Sequence, residues 1–357
     1  MQAMNDRKAA RAVGIWLMIG VGMIIIQVIL GGVTRLTESG LSITEWKPIT
    51  GVLPPLNDSQ WLAEFDKYKN TDQFRHVHGD FTVSDFKFIF FWEWFHRVWA
   101  RMLGVVFLVG FVYFLAKRMF KKEMIIPMVI LFLLGALQGA IGWIMVQSGL
   151  VPEKLFVGHI ELTTHFIAAL ILLCYTFWFA LGLLVPKQAI VHNTSLHRLV
   201  IFILVVVFIQ LTYGGFMAGL KAATVAPTWP TMNGEIIPAG MDTLSPRIKN
   251  LSDNKLMVQF IHRGIAYVLL ILVFVYWLRS KAYKGSQIFR TAKAVPLLLI
   301  LLQVILGILT VINSPYANRL VWFGIAHQFV GMLLLLSIVL MLYLIHSNKN
   351  GPAITTA

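Results

Sequence analysis

Hydrophobic residues along this chain fall into eight long runs separated by short polar stretches. The approximate limits are 12–33, 88–115, 124–147, 157–184, 198–219, 256–278, 294–313 and 320–345. About 20 apolar residues span a ~30 Å hydrocarbon core as a helix. Only helices or closed barrels satisfy every backbone polar group in lipid. These runs are too long and too continuously apolar for barrel strands. The pattern therefore predicts an all-α polytopic membrane protein with eight transmembrane helices. On one side of the membrane the connections alternate long and short, with long loops at about 34–87 and 220–255. That alternation predicts two duplicated four-helix halves, 1–190 and 191–357. Local echoes agree with it: "WFHRVWARMLGVV" (94–106) with "FIHRGIAYVLLIL" (260–272), and "LLGALQGAIGWI" (133–144) with "LLILLQVILGIL" (298–309). Both halves keep the same direction, so this is a parallel duplication and not an inverted repeat.

Charge sets the orientation. Arg7, Lys8 and Arg11 precede the first run. Lys117, Arg118, Lys121 and Lys122 join the second to the third, and Arg279, Lys281, Lys284, Arg290 and Lys293 join the sixth to the seventh. Basic loops stay in the cytoplasm, so both termini are expected there and the two long loops outside. The composition supports a membrane protein: 58% hydrophobic residues, only 13% charged, and a mean hydropathy of +0.75. The net charge of +14 comes mostly from the loops, which argues against a nucleic-acid partner. The single cysteine, Cys174, lies inside an apolar run. It excludes a disulfide framework and a thiolate metal cluster. The first run lacks a small-residue cleavage motif, so no cleavable signal peptide is expected.

Polar residues inside the runs carry the candidate chemistry. Every odd run holds Gln-x-x-x-Gly: Gln27–Gly31, Gln138–Gly142, Gln210–Gly214 and Gln303–Gly307. Residues i and i+4 share a helix face. The motif suits either close helix packing with an interhelical hydrogen bond or a face turned to a cofactor. Four of the ten histidines recur once in each even run: His96, His165, His262 and His327. Four residues after each comes a small one: Ala100, Ala169, Ala266 and Gly331. Each histidine is expected about 10 Å below the outer surface. An ionisable residue inside a membrane is expensive and marks a functional site. Zinc and copper sites gather ligands about one point, often with sulfur or carboxylate. Haem iron takes axial imidazoles from either face, and a small residue one turn away leaves room for the macrocycle. Two histidines per half then predict two haem sites.

Two details break the repeat or recur within it. Glu93 precedes His96 by three residues, where Gln259 precedes His262. A carboxylate at one site only predicts chemistry in the N-terminal half, unless Glu93 merely caps the start of its helix. Arg97 and Arg263 directly follow their histidines. They suit bidentate pairing with haem propionates or snorkelling towards head groups. Of the other histidines, His76 and His78 sit in a polar loop, His159 at the outer end of the fourth run, and His192, His197 and His346 on the cytoplasmic side.

The first outer loop reads "GGVTRLTESGLSITEWKPITGVLPPL" (31–56). With "EWFHR" (93–97), "FIHR" (260–263) and the histidines of runs four and eight, the chain resembles the haem A synthase family over nearly its whole length. The lack of a cysteine pair in an outer loop resembles the branch of alphaproteobacteria and mitochondria. The resemblance implies oxidation of a methyl group of haem O to the formyl group of haem A, for terminal oxidase biogenesis. It implies haem b on His262 and His327, and the substrate haem facing His96 and His165, with Glu93 as the functional carboxylate. It also implies a bacterial inner-membrane location with the haem sites towards the outer face. The pathway suggests haem O synthase, an electron-transfer partner and oxidase assembly factors as partners. The loop, with Glu38, Glu45, Trp46, Lys47 and Pro48, is expected to cover the substrate site or to rest at the membrane interface. A di-haem b-type electron carrier is the alternative; its haems would normally lie near opposite membrane faces. A transporter would have broken helices and inverted halves, and neither is apparent.

Overall fold

The computed structural model describes residues 2–45, 50–283 and 285–347, with side chains from Arg7 onward and not for Thr50. Trp46, Lys47 and Pro48 of the loop signature, Lys284 of the basic set between the sixth and seventh runs, and residues 348–357 lie outside the described residues. The element order is α1 (Gln2–Leu36), α2 (Asp58–Lys69), α3 (Asp72–Val77), α4 (Val83–Ala116), α5 (Lys122–Gly149), α6 (His159–Leu184), β1 (Val191–His192), α7 (Thr194–Gly219), α8 (Asn250–Asp253), α9 (Lys255–Ser280), α10 (Gln287–Ala292), α11 (Val295–Ile312), α12 (Ala317–Leu344) and β2 (Ile345–His346). Among the described residues, eight helices are long and apolar enough to cross a membrane, α10 and α11 together forming the seventh. The chain is a multi-pass membrane protein.

The eight expected runs coincide with these helices, although α1 begins well before its run, at Gln2, and the start of the second span shifts informatively. The second span begins at Val83 and not near 88, because Thr82 and Asp85 form a capping box. The Asp85 carboxylate accepts from the Thr82 amide at 2.9 Å, and Thr82 Oγ1 accepts from the Asp85 amide at 3.4 Å. Such reciprocal bonds satisfy amides that a helix start leaves unpaired. The polar stretch "FTVSDFKF" reads as loop, yet it opens a helix. Glu93 therefore lies well inside α4 and does not cap its start. The long first loop is also shorter than expected and contains two helices of its own.

Helix α1 is central. Its face Val13, Leu17, Val21, Ile24 and Val28 is buried, at the three-and-four spacing of one helical stripe. It packs against α4, α6 and α12. Among the first four spans α5 packs on α6; among the last four, α7, α9, α11 and α12 pack in a closed ring. Helices α1 and α6 meet α7 and α12 at the junction. There Gln328 Nε2 donates to Val28 O at 2.9 Å, and an added Cβ at Gly32 would strike the Gln328 side chain. At the face carrying both chain ends, β1 pairs with β2 in parallel. Asn193 N donates to His346 O at 2.8 Å, and His197 Nδ1 lies 2.6 Å from Ile345 O. Those contacts place His192, His197 and His346 at one structural clasp.

On the opposite face, α2 and α3 fold onto the start of α4 through a separate aromatic cluster of Phe65, Tyr68, Phe86, Ile89 and Phe90. Tyr68 Oη lies 2.6 Å from His78 Nδ1. His78 is buried and His76 exposed, so the two do not converge on a metal. Among the described residues no group of three or more His, Cys, Asp or Glu could hold one. His78 Nε2 lies 3.5 Å from Glu38 Oε2, and Lys221 Nζ donates to Glu38 Oε1. Glu38 follows α1 and Lys221 follows α7, both with left-handed backbone (φ 59° and 54°). The ion pair thus links the segments after two different spans.

The hydrogen bond from His78, and then Lys221, hold the Glu38 carboxyl down at about 2. A carboxylate with a depressed pKa stabilises the fold above its unfolded value, about 4.3, and loses that effect as pH falls towards the folded value. We expect the difference in thermal midpoint between wild type and Glu38→Gln to be constant above about pH 5.5 and to shrink below about pH 4. A difference that grew on acidification would contradict the pairing.

Candidate functional site

The glutamine–glycine motif and the histidines belong to one device. Each odd span lays its motif against the histidine of the even span that follows. Gln27 Nε2 donates to His96 O at 3.3 Å. Gln138 Nε2 donates to His165 O at 3.1 Å and lies 3.2 Å from its Nδ1. Gln210 Nε2 is 3.4 Å from His262 Nε2, and Gln303 Nε2 is 3.2 Å from His327 Nε2. One turn along, the glycine leaves space for the same ring. A Cβ at Gly31 would lie 3.4 Å from His96, at Gly142 2.7 Å from His165, at Gly214 3.5 Å from His262 and at Gly307 3.1 Å from His327. The two readings left open by the sequence therefore meet. The motif packs helices closely, and what it packs against is the imidazole.

All four histidines line one cavity of about 1410 Å³, together with Ala100, Ala169, Ala266 and Gly331. Drug-sized ligands occupy roughly 300–1,000 Å³, so this space exceeds one such site. The His262 and His327 ring centroids are 6.4 Å apart, inclined at 70°. Two imidazoles bound at about 2 Å to one ion between them, with each ring centre roughly 1 Å further back, would have centroids about 6 Å apart. The Nδ1 atoms of both rings are buried without a hydrogen-bond partner, as are Oε1 of Gln27, Gln138, Gln210 and Gln303. Buried polar atoms are normally satisfied. This pair fits a bis-imidazole metal centre such as haem iron.

Glu93 is 2% exposed and fully engaged. Its Oε2 accepts from Ser42 Oγ at 2.7 Å and from Ile43 N at 2.9 Å, and its Oε1 from Arg97 Nη2 at 2.5 Å. Arg97 also donates to Ile43 O at 3.1 Å. The second half of the chain repeats the arrangement without the charge. Gln259 Nε2 donates to Ala226 O at 3.0 Å, and Arg263 Nη2 donates to Ala226 O and Thr228 O at 2.9 Å. Each carboxylate-or-amide and arginine pair fastens a long loop above its histidine. Glu93, Arg97 and Arg263 all line the cavity, as do Glu38, Gly40 and Leu41 of the first loop. Snorkelling to head groups does not describe these guanidiniums, which bind loop carbonyls.

Sequence reasoning did not single out Ser42, Ile43, Arg35 or Lys221. Ser42 and Ile43 stand 51 and 50 residues from Glu93, and nothing local announces the contact. Arg35 Nη2 donates to Gly219 O at 3.0 Å, and its guanidinium and Lys221 both lie over the Phe156 ring. His159 opens α6 against Phe216, with Nε2 3.5 Å from Asp253 Oδ1, and is not among the residues lining the cavity.

The family model described as cytochrome oxidase assembly protein, COX15-CtaA, matches residues 14–339. A haem A synthase of Flavobacterium johnsoniae is 39% identical over 92% of this chain and 96% of its own length. That of Nitrosospira multiformis is 40% identical over 86% and 88%, and that of Rhodopseudomonas palustris 42% identical over 81% and 80%.

The glycine contacts predict a graded response. Gly142→Ala would push its new carbon into the His165 ring and lower the thermal midpoint in detergent, by overpacking worth about 1–3 kcal/mol. Gly214→Ala, with ordinary contact distances, should shift the midpoint by much less. Equal effects would mean that these glycines do not serve the imidazoles.

Proposed function

Since the chain belongs to the cytochrome oxidase assembly protein (COX15-CtaA) family, we propose that it is a haem-modifying oxidoreductase that converts haem O to haem A. The observation that carries this reading is the set of four histidines, each seated on its own glutamine and glycine and all facing one cavity. The 6.4 Å spacing of His262 and His327 supports assigning them as the ligands of a resident haem b. His96 and His165 then face the substrate haem. Residues 1–190 form the substrate half and residues 191–357 the haem b half. Bound haem supplies the redox chemistry.

The chain's own residues bind, orient and move protons. Glu93 is the group that separates the two halves chemically, because its counterpart Gln259 cannot take up a proton. A buried carboxylate beside the reacting methyl group can hold or accept a proton at an Oε atom and stabilise developing positive charge. Arg97 keeps Glu93 in place, and Ser42 and Ile43 shut the loop over it. The remaining N–H groups of Arg97 and Arg263 suit the propionates at the cavity rim; Arg263 Nε is buried without a partner. Charge in the loops supports cytoplasmic termini and the cavity towards the outer side, and the bacterial inner membrane is the location this role would require. Haem O synthase, an electron-transfer protein and oxidase assembly factors are the partners this role would require.

The test is to purify the protein from a host that makes haem O, then extract and identify its haems by mass. Haem b together with haem O, a hydroxylated intermediate or haem A is expected. Two haem b per chain and nothing else would favour the electron carrier. Glu93→Ala should lower conversion by about 10²–10⁴-fold while the low-spin spectrum of the His262–His327 haem persists. Normal haem A production by this variant would remove Glu93 from the mechanism.

A further inference from the structure

The two sets of four spans differ in one wall. Helices α9 and α11 pack along each other, whereas their counterparts α4 and α5 scarcely meet. The short connection 117–121 holds α4 and α5 together at the face carrying the chain ends. There Phe120 packs on Phe111 and Phe114, with ring centroids 5.4 and 6.0 Å apart. Above that aromatic floor the helices leave a slot. Its edges are Leu108, 59% exposed, and Phe132, 60% exposed, and both also line the histidine cavity. The slot therefore joins the cavity to the lipid-facing surface.

Three glycines clear the slot. Gly104, Gly135 and Gly139 line the cavity, and an added Cβ at any of them would meet nothing within 4 Å. Along the sequence echoes, 104 corresponds to Leu270, 135 to Ile300 and 139 to Val304. Ile300 is 2% exposed; it fills the wall that Gly135 leaves open. Glycine inside a helix is destabilising by about 1 kcal/mol relative to alanine. Here three stand where the other half carries branched aliphatics. Gly104 lies eight residues beyond His96, about 12 Å along the helix, and Gly142, under His165, is about one turn from Gly139 and about two from Gly135. The opening thus leads from the lipid to the His96–His165 end of the cavity. The side chains at its lipid-facing edge, Leu108 and Phe132, are apolar, while Arg101 and Gln138 stand beside Gly104 and Gly139 where the slot meets the cavity. The outer part of the slot therefore suits a flexible apolar chain.

We propose that the slot between α4 and α5 is a membrane-side binding site for the isoprenoid tail of the substrate haem, through which that haem reaches His96 and His165. This rests on the haem O reading above. Haem O differs from protohaem in carrying a hydroxyethylfarnesyl chain in place of a vinyl group. That chain is the part of the substrate that matches an apolar slot open to lipid. The resident site lacks such a slot, as a tail-less haem requires.

The test compares haem O with protohaem on the full-length protein in lipid nanodiscs. Gly104→Leu, Gly135→Ile and Gly139→Val, combined, give the first wall the residues of the second. Wild type should bind haem O more tightly than protohaem. The filled variant should lose about tenfold or more in haem O affinity, the loss expected when roughly two methylene groups leave an apolar site. Its protohaem affinity should change by less than about twofold. Farnesol should compete with haem O on wild type and not with protohaem. That second measurement needs no variant and decides the matter if the triple substitution fails to fold. An unchanged preference for haem O in a folded variant, or no competition by farnesol, would mean that the slot holds only lipid, and would overturn the proposal while leaving the enzyme reading intact. A wild type that neither binds nor converts haem O would overturn both.

Discussion

The structure depends on seating an imidazole between two helices inside a membrane. Packing, not hydrophobic burial, holds helices together in lipid, and a histidine ring is a poor surface to pack on. The protein meets this four times with the same pair of residues. The glutamine amide gives the histidine a polar neighbour, and the glycine one turn away gives its ring a place to lie. Each ring is thereby fixed by an adjacent span and not by a distant one. The space the four rings surround can then be large without the helices around it losing their register.

Variation on this repeated frame separates the two ends of the cavity. Glu93 and Gln259 occupy matching places and both fasten a loop, yet one brings a negative charge and the other does not. Gly135 and Ile300 also match, and one opens a wall that the other closes. Two matching sets of four spans need few changes to make the two ends of one cavity chemically unlike. Each residue still fastens its loop, Glu93 by accepting and Gln259 by donating, so the electrostatic difference comes without rebuilding the scaffold.

Much of this was legible in the residues. Eight spans follow from apolar runs, because in lipid length and composition nearly determine the element. The histidines and the Gln-x-x-x-Gly pairs stand out because polar side chains are rare inside such runs. What escaped notice was non-local or locally ambiguous. The helix start at Val83 is written in polar residues that also suit a loop, and only the Thr82–Asp85 reciprocity marks it. The grip of Ser42 and Ile43 on Glu93 closes a separation of about fifty residues, for which one sequence carries no register. The slot between α4 and α5 is visible in sequence only as three glycines, and glycine in a membrane helix more often signals close packing than its absence.

The bond from Gln328 to Val28 joins positions 300 residues apart, between the first and the last of the eight spans. At about 5–20 residues per second, α1 waits roughly 15–60 s for α12. Throughout that interval the most central helix of the finished molecule stands with one face against lipid. Assembly around α1 is thus paced by translation of the eighth span, and whatever shelters α1 in the meantime must let go when α12 arrives.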